Sequence, residues 1–235
     1  MSQPSPKDTL QRLRKGIQGF QQRYYAEQPE TMRQLVQHGQ RPDTLLISCS
    51  DSRVDPALLT DAKPGELFVV RNVANLVPPY AHDGRYNGMG AAIEYAVRDL
   101  NVHNIIVLGH AHCGGIKALL NTVAGQKPAR EFISDWVSMA EDACCHYVTD
   151  HTTGLDPAAG GMLREVSLES LQQYPYLVER AAIQGSLDNL LSYPWLQERV
   201  EAGNLSLHGW WFDLETGDLW TTDDSDHRQF LPVVD

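Results

Sequence analysis

Along residues 8–24, Leu10, Leu13, Ile17, Phe20 and Tyr24 recur at alternating three- and four-residue steps, which predicts an amphipathic helix, and a second short helix is expected at about 29–37. The pattern then changes. Three short runs, 44–48, 67–73 and 104–108, are almost continuously apolar, as expected for strands buried on both faces. Residues 88–100, with Ala91, Ala92, Ile93, Ala96 and Val97, suit a well-buried helix, and another follows at about 115–123. Strands alternating with helices predict an α/β fold with a mostly parallel central sheet. In such sheets, binding sites collect at the C-terminal ends of strands.

Residues 131–151 and 163–200 read as helical, with breaks at Pro175 and Pro194. Residues 167–181 match 186–200 at 8 of 15 positions, including Tyr-Pro-x-Leu-x-Glu-Arg in both. Two copies are too few for a solenoid, so they read as similar helix–Pro–helix units or as coincidence. Apolar runs at 205–213 and 219–222, separated by Glu215-Thr216-Gly217-Asp218, predict a C-terminal β-hairpin. No flexible linker is visible, so 1–235 is expected to form one domain, with 1–40 as an N-terminal helical arm.

Composition narrows the function. The chain has 235 residues, 42% of them hydrophobic and 21% charged, so a packed core is affordable and disorder is not expected. A net charge of -11 argues against nucleic acid or an anionic membrane as partner. No window approaches the roughly 18 apolar residues of a membrane span, and the first eight residues lack the apolar core of a signal peptide. A soluble cytoplasmic protein is therefore expected. Of the four cysteines, Cys144 and Cys145 are adjacent in a predicted helix and read as packing residues.

Cys49 and Cys113 differ, because Cys49 ends the first predicted strand and Cys113 lies on the strand-to-helix turn after the third. Cys49-Ser50-Asp51-Ser52-Arg53 closes the first strand, and Gly109-His110-Ala111-His112-Cys113-Gly114-Gly115 follows the third. Two thiolates and an imidazole suit Zn²⁺, and three protein ligands leave a tetrahedral ion one open position, the arrangement of catalytic sites. The spacing alone leaves a chance pair of buried cysteines open. His112 competes with His110 as ligand. It directly precedes Cys113, and adjacent side chains usually diverge, which favours His110. Asp51 and Arg53, two apart, share a face if the segment is extended, and the guanidinium would keep the carboxylate ionised and oriented. Away from Cys49, that pair would read as a solvated ion pair.

The two motifs together resemble the signature of the β-class carbonic anhydrases. The similarity extends through Pro64-Gly65-Glu66, Val70-Arg71-Asn72-Val73-Ala74-Asn75, Gly90-Ala91-Ala92-Ile93-Glu94-Tyr95-Ala96 and Ser186-Leu187-x-Asn189-Leu190 to the terminal hairpin. The resemblance implies that Cys49, His110 and Cys113 hold one Zn²⁺ per subunit, and that Asp51 and Arg53 assist catalysis. The reaction implied is reversible hydration of carbon dioxide to bicarbonate and a proton by hydroxide on the zinc, a carbon–oxygen lyase activity serving carbon utilization. Leu46 stands where one subtype has a Trp, and Gln40 where the plant-like subtype has a Gln. In that subtype the counterparts of Gln40, Phe68, Val73, Tyr95 and Gly114 line the substrate pocket, some from a neighbouring subunit. A homodimer is thus implied, assembled further into a tetramer or octamer, and the helix at 8–24 would pack on the partner, although its stripe suits packing on its own domain equally well. Ala111 departs from the Ser frequent there. Rival readings are a carbonyl sulfide or carbon disulfide hydrolase with the same ligands, a closed structural zinc module, and a redox pair of Cys49 and Cys113.

Overall fold

The structure, a computed structural model, describes residues 5–81, 87–126, 130–141, 167–222 and 229–233. The chain begins with α1 (Pro6–Gln21), which runs into a π-helical turn (Gln22–Glu27), and α2 (Pro29–His38). The body follows as β1 (Thr44–Cys49), α3 (Pro56–Thr60), β2 (Leu67–Asn72), α4 (Gly88–Glu94) with a π-helical extension (Tyr95–Asp99), β3 (Asn104–His110), α5 (Gly114–Val123) and α6 (Ile133–Val137). Then come α7 (Leu168–Gln173), α8 (Tyr176–Leu191), α9 (Pro194–Glu201), β4 (Ser206–Phe212), β5 (Leu219–Thr222) and β6 (Phe230–Pro232).

The strands form one sheet in the order β2-β1-β3-β4-β5-β6. Neighbours from β2 to β4 are parallel, and β5 and β6 are antiparallel additions. The mixed, mostly parallel sheet agrees with the alternation in the sequence. The hairpin forms as expected, and β6 extends it by a strand too short to announce itself through periodicity. Both proline breaks are real: α7 and α8 flank Pro175, and Pro194 is the first residue of α9, where its missing N–H costs nothing. Each copy of the repeated motif is thus a helix–Tyr–Pro–helix unit. The predicted helix 131–151 is described only as α6 and a 3₁₀ turn (Ser138–Ala140). Its remainder, with Cys144 and Cys145, and residues 163–166 lie outside the described residues.

One expectation fails. β1 and β3 are buried on both faces, but β2 is the edge of the sheet and only half-buried, with Val69 exposed. A continuous apolar run cannot tell an interior strand from an edge strand with an apolar outer face.

The core lies mainly on the face carrying Leu45, Ile47, Ile105 and Val107, packed against Ile93 from α4 and Ile183, Leu187 and Leu190 from α8. Each such side chain contributes about 1.5–3 kcal/mol on burial. At Gly109 a Cβ would stand 2.7 Å from Ile183 Cδ1, so α8 sits hard against the end of β3. α2 reaches the body where Leu35 fills the space beside Gly65, which has φ +94°. Among the described residues α1 makes no comparable attachment. None of its residues is buried, and Leu10, Leu13, Ile17 and Phe20 are 59%, 51%, 61% and 42% exposed. Among the described residues no helix is long and apolar enough to cross a membrane.

Candidate metal centre

β1 and β3 are adjacent and parallel, so Cys49 and His110 finish at the same edge of the sheet. Cys113 is the N-cap of α5, three residues past the strand end. His112 makes the turn between them with φ +57°, the left-handed conformation that few non-glycine residues adopt. The result is a cluster of Cys49, His110 and Cys113 whose ligand atoms all lie within 4.8 Å of one another. All three residues are buried, and both cysteines are free thiols.

The donor set fits a tetrahedral ion. The sulphurs stand 3.9 Å apart, close to the ~3.8 Å edge of a tetrahedron with 2.3 Å metal–sulphur bonds. His110 Nδ1 lies 2.8 Å from the Ala111 carbonyl and donates to it, which leaves Nε2 with a lone pair. That Nε2 is buried and has no hydrogen-bond partner. The Cys49 and Cys113 sulphurs are within hydrogen-bond contact of each other. This contact lowers the pKa of Cys49 against its burial and, together with burial, raises that of Cys113. His112 is turned away, with Nε2 2.7 Å from Glu215 Oε1.

Asp51 and Arg53 meet, though not by the route expected. The segment is a turn, in which Asp51 Oδ1 accepts from the Arg53 backbone N–H at 3.0 Å and from Nε at 2.9 Å, while Oδ2 accepts from Nη2 at 2.8 Å. The guanidinium holds the carboxyl well below the usual range, outweighing burial. A further bond from Arg53 Nη2 to the His112 carbonyl, 3.2 Å, links the two motif loops.

Two charged side chains that position these loops escaped the sequence reading. Arg71, near the end of β2, donates to the carbonyls of Cys49 (3.0 Å) and Asp51 (2.7 Å) and to Asp55 Oδ2 (2.8 Å). Its signals were a lone cation in an apolar strand and its place in the 70–75 block of the family resemblance, neither of which gave it a role. Glu179, in the first turn of α8, is 3% exposed. Its Oε1 accepts from the Cys113 N–H and its Oε2 from Trp211 Nε1, both at 3.1 Å. Burial pushes its carboxyl up, and the two donors pull it partly back.

The predicted pocket residues divide. Val73 and Gly114 lie beside the cluster: α5 packs so closely that a Cβ on Gly115 would be 2.8 Å from Val73 Cγ1, and Trp136 Nε1 donates to the Val73 carbonyl at 2.7 Å. Phe68 and Tyr95 pack on each other, with ring centroids 5.8 Å apart. Phe68 pairs with Leu45, four residues or about 13 Å down the strand from Cys49. Gln40 is exposed and precedes the far end of β1. Within one chain these three do not reach the metal cluster.

The fold and site define a group of side chains able to hold a metal ion at the strand ends of a mostly parallel α/β sheet. The profile of the family described as "Carbonic anhydrase" matches residues 44–219. A carbonic anhydrase of Synechocystis sp. is 39% identical over 233 residues, covering 95% of this chain and 74% of that one. The solved β-carbonic anhydrase CcaA superimposes with a TM-score of 0.75 at 35% identity, covering 97% and 93% of the two chains. A structure from Sordaria macrospora, 23% identical with 91% and 96% covered, shares the fold at a TM-score of 0.70. The chain belongs to the β-class carbonic anhydrases, and as such is a carbonate dehydratase.

Proposed function

We propose that this chain hydrates carbon dioxide reversibly to bicarbonate and a proton, with one Zn²⁺ per subunit held by Cys49, His110 and Cys113 and an Asp51–Arg53 dyad at its side. The observation that carries the reading is the buried, unpartnered Nε2 of His110 grouped with two thiols 3.9 Å apart. When bound, the ion supplies a Lewis acid that lets water lose a proton near neutral pH. Asp51 stays ionised because Arg53 engages both its oxygens, and its remaining lone pairs accept from the reacting water and orient it. With Asp51 so engaged and His112 on Glu215, neither offers itself as a fourth ligand, which favours an open site over a structural one. The Gly114 N–H, in the first turn of α5, lacks an intrahelical partner and suits a bicarbonate oxygen. Val73 gives carbon dioxide an apolar wall.

Gln40, Phe68 and Tyr95 complete the pocket of a neighbouring subunit in a homodimer. The exposed apolar stripe of α1 and the half-buried β2 edge support that assembly. Further association into a tetramer or octamer agrees with the Sordaria relatives, which are described as tetrameric. The chain acts as one domain with residues 1–40 as an arm. It serves carbon utilization in the cytoplasm, whose reducing conditions suit the free thiols of Cys49 and Cys113.

Stopped-flow measurement of carbon dioxide hydration, with zinc per chain determined on the same sample, tests the proposal. Fast hydration with one zinc per chain is expected, with metal lost in Cys49→Ala and activity reduced at least ~100-fold in Asp51→Asn. Bound zinc without hydration at neutral and mildly alkaline pH would overturn it.

A further inference from the structure

We infer that Glu179 is a positioning residue for the metal: its carboxylate fixes the backbone of Cys113 against β4, so that retention of the ion depends on it. This rests on the zinc site proposed above.

Three elements meet at this carboxylate. Glu179 is carried by α8, its Oε1 takes the N–H of the ligand Cys113, and its Oε2 takes the indole N–H of Trp211 on β4. Trp211 is itself held, since the Arg180 guanidinium lies 4.3 Å from its ring centroid. The bridge therefore runs from a fixed tryptophan to Cys113, which stands past the strand end at the N-cap of α5, whereas Cys49 and His110 are set by strand ladders.

Packing alone does not explain the choice of side chain. A carboxylate that is 3% exposed is costly to bury, and among the described residues no Lys or Arg makes an ion pair with it. A glutamine of equal size would present an oxygen to one donor but an NH₂ to the other. Only a carboxylate accepts from both. Outer partners that orient metal ligands typically change metal affinity 10–100-fold when lost.

The test compares wild type, Glu179→Gln and Trp211→Phe as full-length zinc-loaded proteins challenged with a chromogenic chelator, with melting curves of the zinc-loaded and zinc-free forms. Glu179→Gln is expected to release zinc at least ~10-fold faster, and Trp211→Phe to shift the same way by less. The rise in Tm on zinc loading should shrink in both. A merely structural role would instead lower both melting curves equally and leave the release rate unchanged, and that result overturns the inference. If Glu179→Gln fails to fold, Trp211→Phe decides alone: unchanged zinc release in it overturns the inference. Failure of wild type to bind zinc would instead defeat the metal-site reading itself.

Discussion

Arg71 uses all three faces of its guanidinium on the loop that carries Cys49 and Asp51. Its partner Asp55 in turn caps α3 through the N–H groups of Ala57 and Leu58. Arg71→Gln removes two charge-assisted bonds at least and leaves half-buried carbonyls without a donor. The expected loss is about 2–3 kcal/mol, or roughly 4–10 °C in Tm for a chain of this size. An unchanged urea midpoint would show that the loop holds itself. At this scale the sequence was most informative about chemistry and least about conformation. Ligand preference pointed to Cys49, His110 and Cys113, which the fold gathers into one cluster, and the argument that neighbouring side chains diverge agrees with His112 turning to Glu215 instead. The extended-segment argument for Asp51 and Arg53 does not hold, although the two side chains do meet. The contact is made by a turn in which the carboxylate also binds backbone, a local alternative that short acidic residues favour.

Elements were legible where period and punctuation agreed. The strands β1 and β3, the proline breaks and the hairpin all followed from pattern. What pattern could not supply is depth. In the repeated Tyr-Pro-x-Leu-x-Glu-Arg motif, Glu179 is buried behind the metal loop while Glu198 is exposed. The same holds for its tyrosines: Tyr174 is exposed, but Tyr193 is buried between α8 and α9, beside Tyr80 and Trp195. Its hydroxyl donates to the Pro78 carbonyl at 3.2 Å, and burial raises its pKa. As pH passes about 10, the unfolded chain therefore loses this proton before the folded one does. The stabilisation is complete below that pH and is lost as pH rises through the folded value. Tyr193→Phe should cost about 1 kcal/mol at neutral pH yet flatten the alkaline decline in stability. Denaturation midpoints of both proteins at neutral and strongly alkaline pH measure this, and parallel curves would exclude Tyr193 as the group responsible.

The whole molecule raises the question of what covers α1. An amphipathic helix is held in place by the surface its apolar face finds, since propensity alone seldom stabilises so short a helix in water. Among the described residues the stripe of Leu10, Leu13, Ile17 and Phe20 stays exposed, although the sequence suited either destination. The residues proposed to hold the metal cluster within one chain, whereas Phe68, with Tyr95 packed on it, pairs about 13 Å down the strand from Cys49, and Gln40 precedes the opposite strand end. Metal binding and a complete pocket are therefore separable. Deleting residues 1–27 should leave zinc per chain unchanged, lower the oligomeric state measured by light scattering, and reduce hydration activity with it. If the truncated protein keeps both its mass and its rate, α1 is not what joins the subunits. If it loses zinc as well, the arm supports the metal loops directly, and the separation between a one-chain metal centre and a two-chain pocket does not hold.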